Sequence, residues 1–148
     1  MSKIMALDVG EKTIGVAFCE EGTRIAFPGK TILRQEGIKR DMAALRQLIA
    51  DHEVYRIVVG LPLLLDGTHG PQADKVEAFI ATLRNHVRIP IITQDEGLST
   101  HEAEELLSAA NRRPAEHKRT IDSVAAALIL QWHLEATGEG KPEDTPYE

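Results

Sequence analysis

The sequence predicts an α/β fold: a mixed five-stranded sheet, three strands in an antiparallel meander and two running parallel, with helices on both faces. Two observations carry this expectation. Residues 4–27 hold three short apolar runs separated by turn residues, as a meander requires. From residue 38 onward, helical periodicity alternates with further strand-like runs, as a parallel segment requires.

In chain order, residues 4–9 read as a buried strand and Gly10-Glu11-Lys12 as a turn. Residues 13–18 are the second strand and residues 24–27 the third, ended by Pro28-Gly29. Ile38, Met42, Leu45, Leu48 and Ile49 recur at helical spacing and predict the first helix. Residues 56–60 are apolar enough for a fourth strand covered on both faces. Pro71 suits the first turn of a second helix, whose apolar stripe is Val76, Phe79, Ile80 and Leu83. Residues 90–93 form the fifth strand. Ser99 and Glu102 have capping-box spacing and open a helix through Leu106 and Leu107; the last helix runs from about Thr120 to His133. A right-handed crossover would lay the fourth strand beside the first. The arrangement is RNase H-like, and other α/β folds share parts of it.

At 148 residues the chain has the size of one domain, and 43% apolar with 27% charged content is ordinary for a globular protein. The folded domain is expected in residues 1–136. Residues 137–148 lack apolar periodicity and read as a disordered acidic tail. Of the net charge of −6, residues 135–148 contribute −4, through five acids opposed only by Lys141. The body of the chain is thus close to neutral, and charge does not exclude a nucleic-acid partner. Cys19, the single cysteine, excludes an intramolecular disulfide and reads as a small buried hydrophobe. The first residues carry no signal-peptide apolar core. The longest apolar run, residues 57–65, is interrupted by Gly60 and Pro62 and falls far short of the ~20 residues of a spanning helix. A soluble, cytoplasmic protein is the expectation.

Asp8 is the most informative residue, because an uncompensated carboxylate inside an apolar strand would cost several kcal/mol. A metal, an arginine or a cluster of donors would compensate it; the plainer alternative is an aspartate fixing the Gly10 turn. Asp95 and Glu96 end the fifth strand, at the carboxyl edge where ligands of open α/β sheets gather. Successive strand side chains point opposite ways, so one of the two faces Asp8. Asp122 lies in the first turn of the last helix, where the macrodipole favours an acid. Ala125 and Ala126 follow on the same helix face and are small enough for close approach to the sheet. Three acids from distant parts of the chain can then share one oxygen-ligand site suited to Mg2+ or Mn2+. Arg112, Arg113, Lys118 and Arg119 form the only dense basic segment and lie just before Asp122, where a phosphate backbone would be gripped.

Other chemistries lack their motifs. There is no G-x-x-x-x-G-K-[ST] and no G-x-G-x-x-G, and Glu105 occupies the position where a zincin helix begun by His101-Glu102 needs its second histidine. Asp8-Val9-Gly10 with Gly15-Val16-Ala17 would also suit the phosphate-binding hairpin of an actin-like kinase or ATPase, but that fold needs two lobes. A nucleic-acid-binding module without cleavage is the remaining rival.

Four segments, in order, resemble the YqgF/RuvX family of RuvC-like Holliday junction resolvases and pre-16S rRNA nucleases. They are Leu7-Asp8-Val9-Gly10 with Thr13-Ile14-Gly15-Val16-Ala17, Val59-Gly60-Leu61-Pro62 with Asp66-Gly67-Thr68, Asp95-Glu96 with Leu98-Ser99-Thr100, and Ile121-Asp122-Ser123-Val124-Ala125-Ala126. The resemblance covers residues 3 to about 135. It implies that Asp8, Glu96 and Asp122 are the catalytic acids and metal ligands, with Glu96 preferred over Asp95, and that Lys118 matches a basic residue preceding the last aspartate. It implies phosphodiester hydrolysis with two Mg2+ or Mn2+ ions, in pre-16S rRNA processing during ribosome biogenesis or, as the alternative, in cleavage of branched DNA during recombination and repair. A homodimer is left open. Gly97 stands where the family usually has arginine, so the phosphate interaction of that arginine is missing here.

Overall fold

The computed structural model describes residues 2–64, 67–95 and 114–137, the side chains of the last segment from Ser123 onward. Its elements are β1 (Lys3–Val9), β2 (Thr13–Glu20), β3 (Phe27–Leu33), α1 (Lys39–His52), β4 (Val54–Leu61), α2 (Pro71–Arg84), β5 (Ile91–Asp95) and α3 (Pro114–Thr137). The strands form one five-stranded sheet in the order β3-β2-β1-β4-β5. β1 pairs antiparallel with β2 and parallel with β4, β2 pairs antiparallel with β3, and β4 pairs parallel with β5. The mixed sheet is the one the sequence predicts, with the fourth strand beside the first.

Strand alternation divides the core into two layers. Met5, Leu7 and Val9 of β1 face α1 and α2 and join a cluster with Met42, Leu45, Val76, Phe79 and Leu83. Ile4 and Ala6 face the other way and pack with Ala126, Ile129, Leu130 and Leu134 of α3. That second layer is built of small residues on the sheet side, Ala6, Ala17 and Cys19, which lets α3 lie close against the strands. Ala126 is fully buried there. Ala126→Leu is therefore expected to lower stability by about 1–3 kcal/mol through overpacking, read as a reduced midpoint in urea at unchanged slope. An unchanged midpoint would mean that α3 can lift off the sheet freely.

The third strand departs from the sequence reading. It spans Phe27–Leu33, so Pro28 and Gly29 lie inside the strand that they were expected to end. The reason is its place at the sheet edge, where a proline's missing N–H leaves no ladder bond unmade. Gly29 is needed for a different reason: a Cβ there would sit 2.9 Å from the Phe18 ring and 3.0 Å from the Val16 carbonyl. The ladder shifts register between Gly15 and Ala17 at this point. The last helix also begins earlier than its apolar stripe implies, at Pro114, and reaches Thr137. The capping-box helix expected from Ser99, and residues 138–148 of the expected tail, lie outside the described residues. No helix among the described residues is long and apolar enough to cross a membrane.

Candidate active site

Asp8 stands one residue from the carboxyl end of β1 and is half-buried. It pairs across the sheet with Gly15, which pairs in turn with Thr31. On the other side, the register Leu7↔Val59 places Gly60 level with Asp8, and Gly60 pairs with Gln94. One row thus runs Thr31–Gly15–Asp8–Gly60–Gln94 across all five strands. Directly paired residues share a face. This row lies on the α3 side, because Asp8 alternates with Ile4 and Ala6, and because the Thr31 and Ser123 hydroxyl oxygens are 2.7 Å apart. The two glycines place no side chain on either flank of the Asp8 carboxylate.

The two neighbouring acids of the fifth strand separate on the same logic. Asp95 pairs with Leu61, a member of the α1/α2 layer, and so lies on the sheet face opposite Asp8. Its strand position still brings it to the carboxyl edge, where it is exposed. Asp122 is carried on the backbone of α3 immediately before Ser123, the residue that meets Thr31 in the Asp8 row. The buried Ala125 and Ala126 follow it by three and four residues.

The hairpin that follows Asp8 is braced from three directions. Arg34 Nη1 donates to the Gly10 carbonyl oxygen at 2.8 Å, and the Arg34 backbone N–H donates to the Lys12 carbonyl at 2.9 Å. The Arg34 guanidinium is itself held: Nε donates to Asp41 Oδ2 of α1 at 2.9 Å, and the group lies 5.3 Å from the ring centre of Phe79 on α2. Asp41 is 1% exposed and also accepts from the Gln35 N–H. Outside this network, Lys75 of α2 hydrogen-bonds Glu11, and that bond holds the Glu11 carboxyl below the usual carboxylate range. Hairpin, α1 and α2 are thereby tied together around the carboxyl end of β1.

Of the residues the sequence singles out, the structure describes Asp8 and Asp95 fully and the backbone positions of Lys118, Arg119 and Asp122. Glu96, Gly97, Arg112 and Arg113 lie outside the described residues. No group of three metal-ligating side chains occurs among the described residues. Three features escape a sequence reading. Thr31 falls beyond the expected third strand, Gly60 reads there as the end of the fourth strand and part of a family segment but not as the neighbour of Asp8, and Asp41 looks like any acid in a first helical turn. For Thr31 and Gly60 the missing signal is register. For Asp41 it is burial, which no local pattern reveals.

A family model described as "RuvX: Holliday junction resolvase" matches residues 2–136. Relatives named "Putative pre-16S rRNA nuclease" include one from Desulforamulus reducens, 43% identical over 134 residues that make up 90% of this chain and 97% of the relative. Another, from Syntrophus aciditrophicus, is 41% identical over 143 residues, 96% of this chain and 95% of the relative. Among solved structures, T. thermophilus RuvC in complex with a Holliday junction substrate matches 94% of this chain and 98% of its own with a TM-score of 0.60 at 12% identity, a likeness of fold. With a family model spanning nearly the whole chain and relatives above 40% identity over nine-tenths of it, the chain belongs to the RuvX family.

Proposed function

We propose that the chain is a metal-dependent endonuclease that hydrolyses phosphodiester bonds in structured nucleic acid, with precursor 16S rRNA as the favoured substrate and branched DNA as the alternative. The observation that carries this reading is the Asp8 row: a half-buried carboxylate at the carboxyl end of β1, flanked by two glycines and facing α3. The relatives' names favour RNA over DNA. In this reading residues 1–136 are the nuclease domain and residues 137–148 an acidic tail outside it.

Asp8, Glu96 and Asp122 would hold Mg2+ or Mn2+, two ions in the reading we favour. The donor set fits such hard cations, which take carboxylate oxygens, and the bare flanks at Gly15 and Gly60 leave space for them and their waters. When bound, such ions lower the pKa of an attacking water and stabilise charge on the leaving oxygen. Glu96 is preferred because Asp95 lies on the opposite face. The protein's own part is to fix the carboxylates: β1 sets the first and the braced hairpin restrains it, while α3, seated on small residues, sets the last. Arg112, Arg113, Lys118 and Arg119 would grip the phosphates on either side of the scissile bond.

A panel of precursor-rRNA fragments, single strands and four-way DNA junctions, each with magnesium or manganese, tests the reading. Metal-dependent cleavage of the RNA fragments is the expected result, and binding without cleavage of any substrate would reduce the chain to a nucleic-acid-binding module. Gly97→Arg addresses the position where the family's usual cation is absent. It is expected to tighten substrate binding by roughly ten- to a hundredfold, the value of one charge-assisted hydrogen bond, at unchanged melting temperature. Lower stability without tighter binding would mean instead that glycine meets a backbone requirement there.

A further inference from the structure

A second basic surface lies on the other side of the sheet from the Asp8 row. Lys39, Arg40, Ala43 and Arg46 of α1 line a concavity of about 470 Å³ together with His86, which follows α2. Lys39, Ala43 and Arg46 fall four and three residues apart and so stack on one helix face, with Arg40 beside them. Ala43, the short side chain between the two long cations, leaves the floor of the groove open. Every one of these residues is exposed.

No acid lines this groove, although the chain carries a net −6. Lys39, Arg40 and Arg46 enter no ion pair among the described residues. The acid nearest in sequence, Asp41, is buried on Arg34 and turned to the core. Asp51, further along α1, accepts from Gln47. The N-terminus of α1 adds the positive end of its macrodipole to the same region.

Position and length both fit a polyanionic strand. β3 ends at Leu33, paired with Thr13 just after the hairpin, so α1 starts at the same sheet edge that carries Asp8. A larger concavity of about 700 Å³, bounded by Glu11 and Lys12 of the hairpin and by residues 33–38, Glu36 among them, lies along the stretch of chain that precedes Lys39. From Lys39 to Arg46 is about 10 Å of helix axis, roughly three steps of a nucleic-acid strand at ~3.4 Å each.

We propose that the groove of Lys39, Arg40 and Arg46 is a second phosphate-binding site, which holds the backbone of a nucleic-acid substrate away from the carboxylates after it has crossed the edge of the sheet. The proposal rests on the nucleic-acid reading above and adds a path to it. Contacts to phosphate position a substrate without reading its sequence. The groove is therefore indifferent to base identity and serves a substrate long enough to reach both surfaces.

Two variants of the full chain test this, Lys39→Ala/Arg40→Ala/Arg46→Ala and Ala43→Glu. The second removes no existing interaction and places an acid on the groove floor. Binding of a fluorescein-labelled RNA hairpin with single-stranded flanks, and of a labelled four-way DNA junction, is followed by anisotropy in EDTA over a salt series. The triple variant is expected to reduce the log–log salt slope by about 2–3 on both probes, close to one for each phosphate that is no longer neutralised. Ala43→Glu is expected to weaken binding at low salt with its melting temperature unchanged. Wild-type affinity and slope in both variants would overturn the groove, even in a chain that cleaves normally. Reduced slopes in a chain that never cleaves would support the groove while removing the nuclease reading, so the two fail separately.

Discussion

Asp8→Asn is expected to abolish metal-dependent cleavage, by about 10³-fold or more, while leaving the circular dichroism spectrum native. The substitution keeps the shape of the side chain and removes only its charge. A loss of that size is on the order of 4 kcal/mol of transition-state stabilisation. The fold should tolerate the change because Asp8 is half-buried at a strand end, with the backbone ladder around it complete on the β2 side. Glu96→Gln and Asp122→Asn should behave alike if the three acids form the proposed site, since the ligands of a single site act as a unit and their losses do not add. Asp95→Asn supplies the internal control. Asp95 pairs with Leu61 on the opposite face of the sheet, so its loss should change the rate by less than about tenfold. Equal losses from Asp95→Asn and Glu96→Gln would overturn the face assignment. Full activity in Asp8→Asn would remove the carboxylate site as the seat of the chemistry.

That contrast between neighbours shows what sequence can and cannot deliver. Alternation along a strand says that Asp95 and Glu96 face opposite ways, but not which way either faces. Only the pairing of Leu61 with Asp95, together with the layer that Leu61 joins, places Asp95 on the α1/α2 side. The elements themselves were largely legible, because the stripe Val76, Phe79, Ile80 and Leu83 does bury one face of α2, and Met42, Leu45 and Leu48 do the same for α1. The third strand was not, because Pro28-Gly29 is a turn signal wherever the strand is paired on both sides and ceases to be one at an edge. Its displacement hid Thr31, and with it the row that ties Asp8 to α3. The Arg34–Asp41 bridge was invisible for a further reason: its meaning depends on what the far end of the guanidinium touches, which is set by the tertiary fold.

That bridge predicts a large stability effect. Asp41→Ala leaves the Arg34 guanidinium, only 21% exposed, without its carboxylate. Removing one partner of a buried pair costs about 3–5 kcal/mol. At roughly 3 °C per kcal/mol for a chain of this size, the melting temperature should fall by about 10–15 °C. The effect should not stop at stability, because the same guanidinium holds the Gly10 carbonyl two residues after Asp8. Arg34→Met/Asp41→Leu separates the two roles. Replacing both charges with apolar groups removes the unpaired ion and should recover most of the lost stability. It cannot replace the hydrogen bond to Gly10, so the hairpin loses the brace nearest Asp8 while the core stays filled. The double variant is expected to melt within a few degrees of the wild type and yet to cleave with a reduced kcat at little-changed KM, since the Arg34 guanidinium is already engaged by Asp41 and the Gly10 carbonyl oxygen. Wild-type kcat in a stable double variant would show that the bridge serves the fold alone. A kcat that remains low after stability returns assigns Arg34 the positioning of the strand end that carries Asp8.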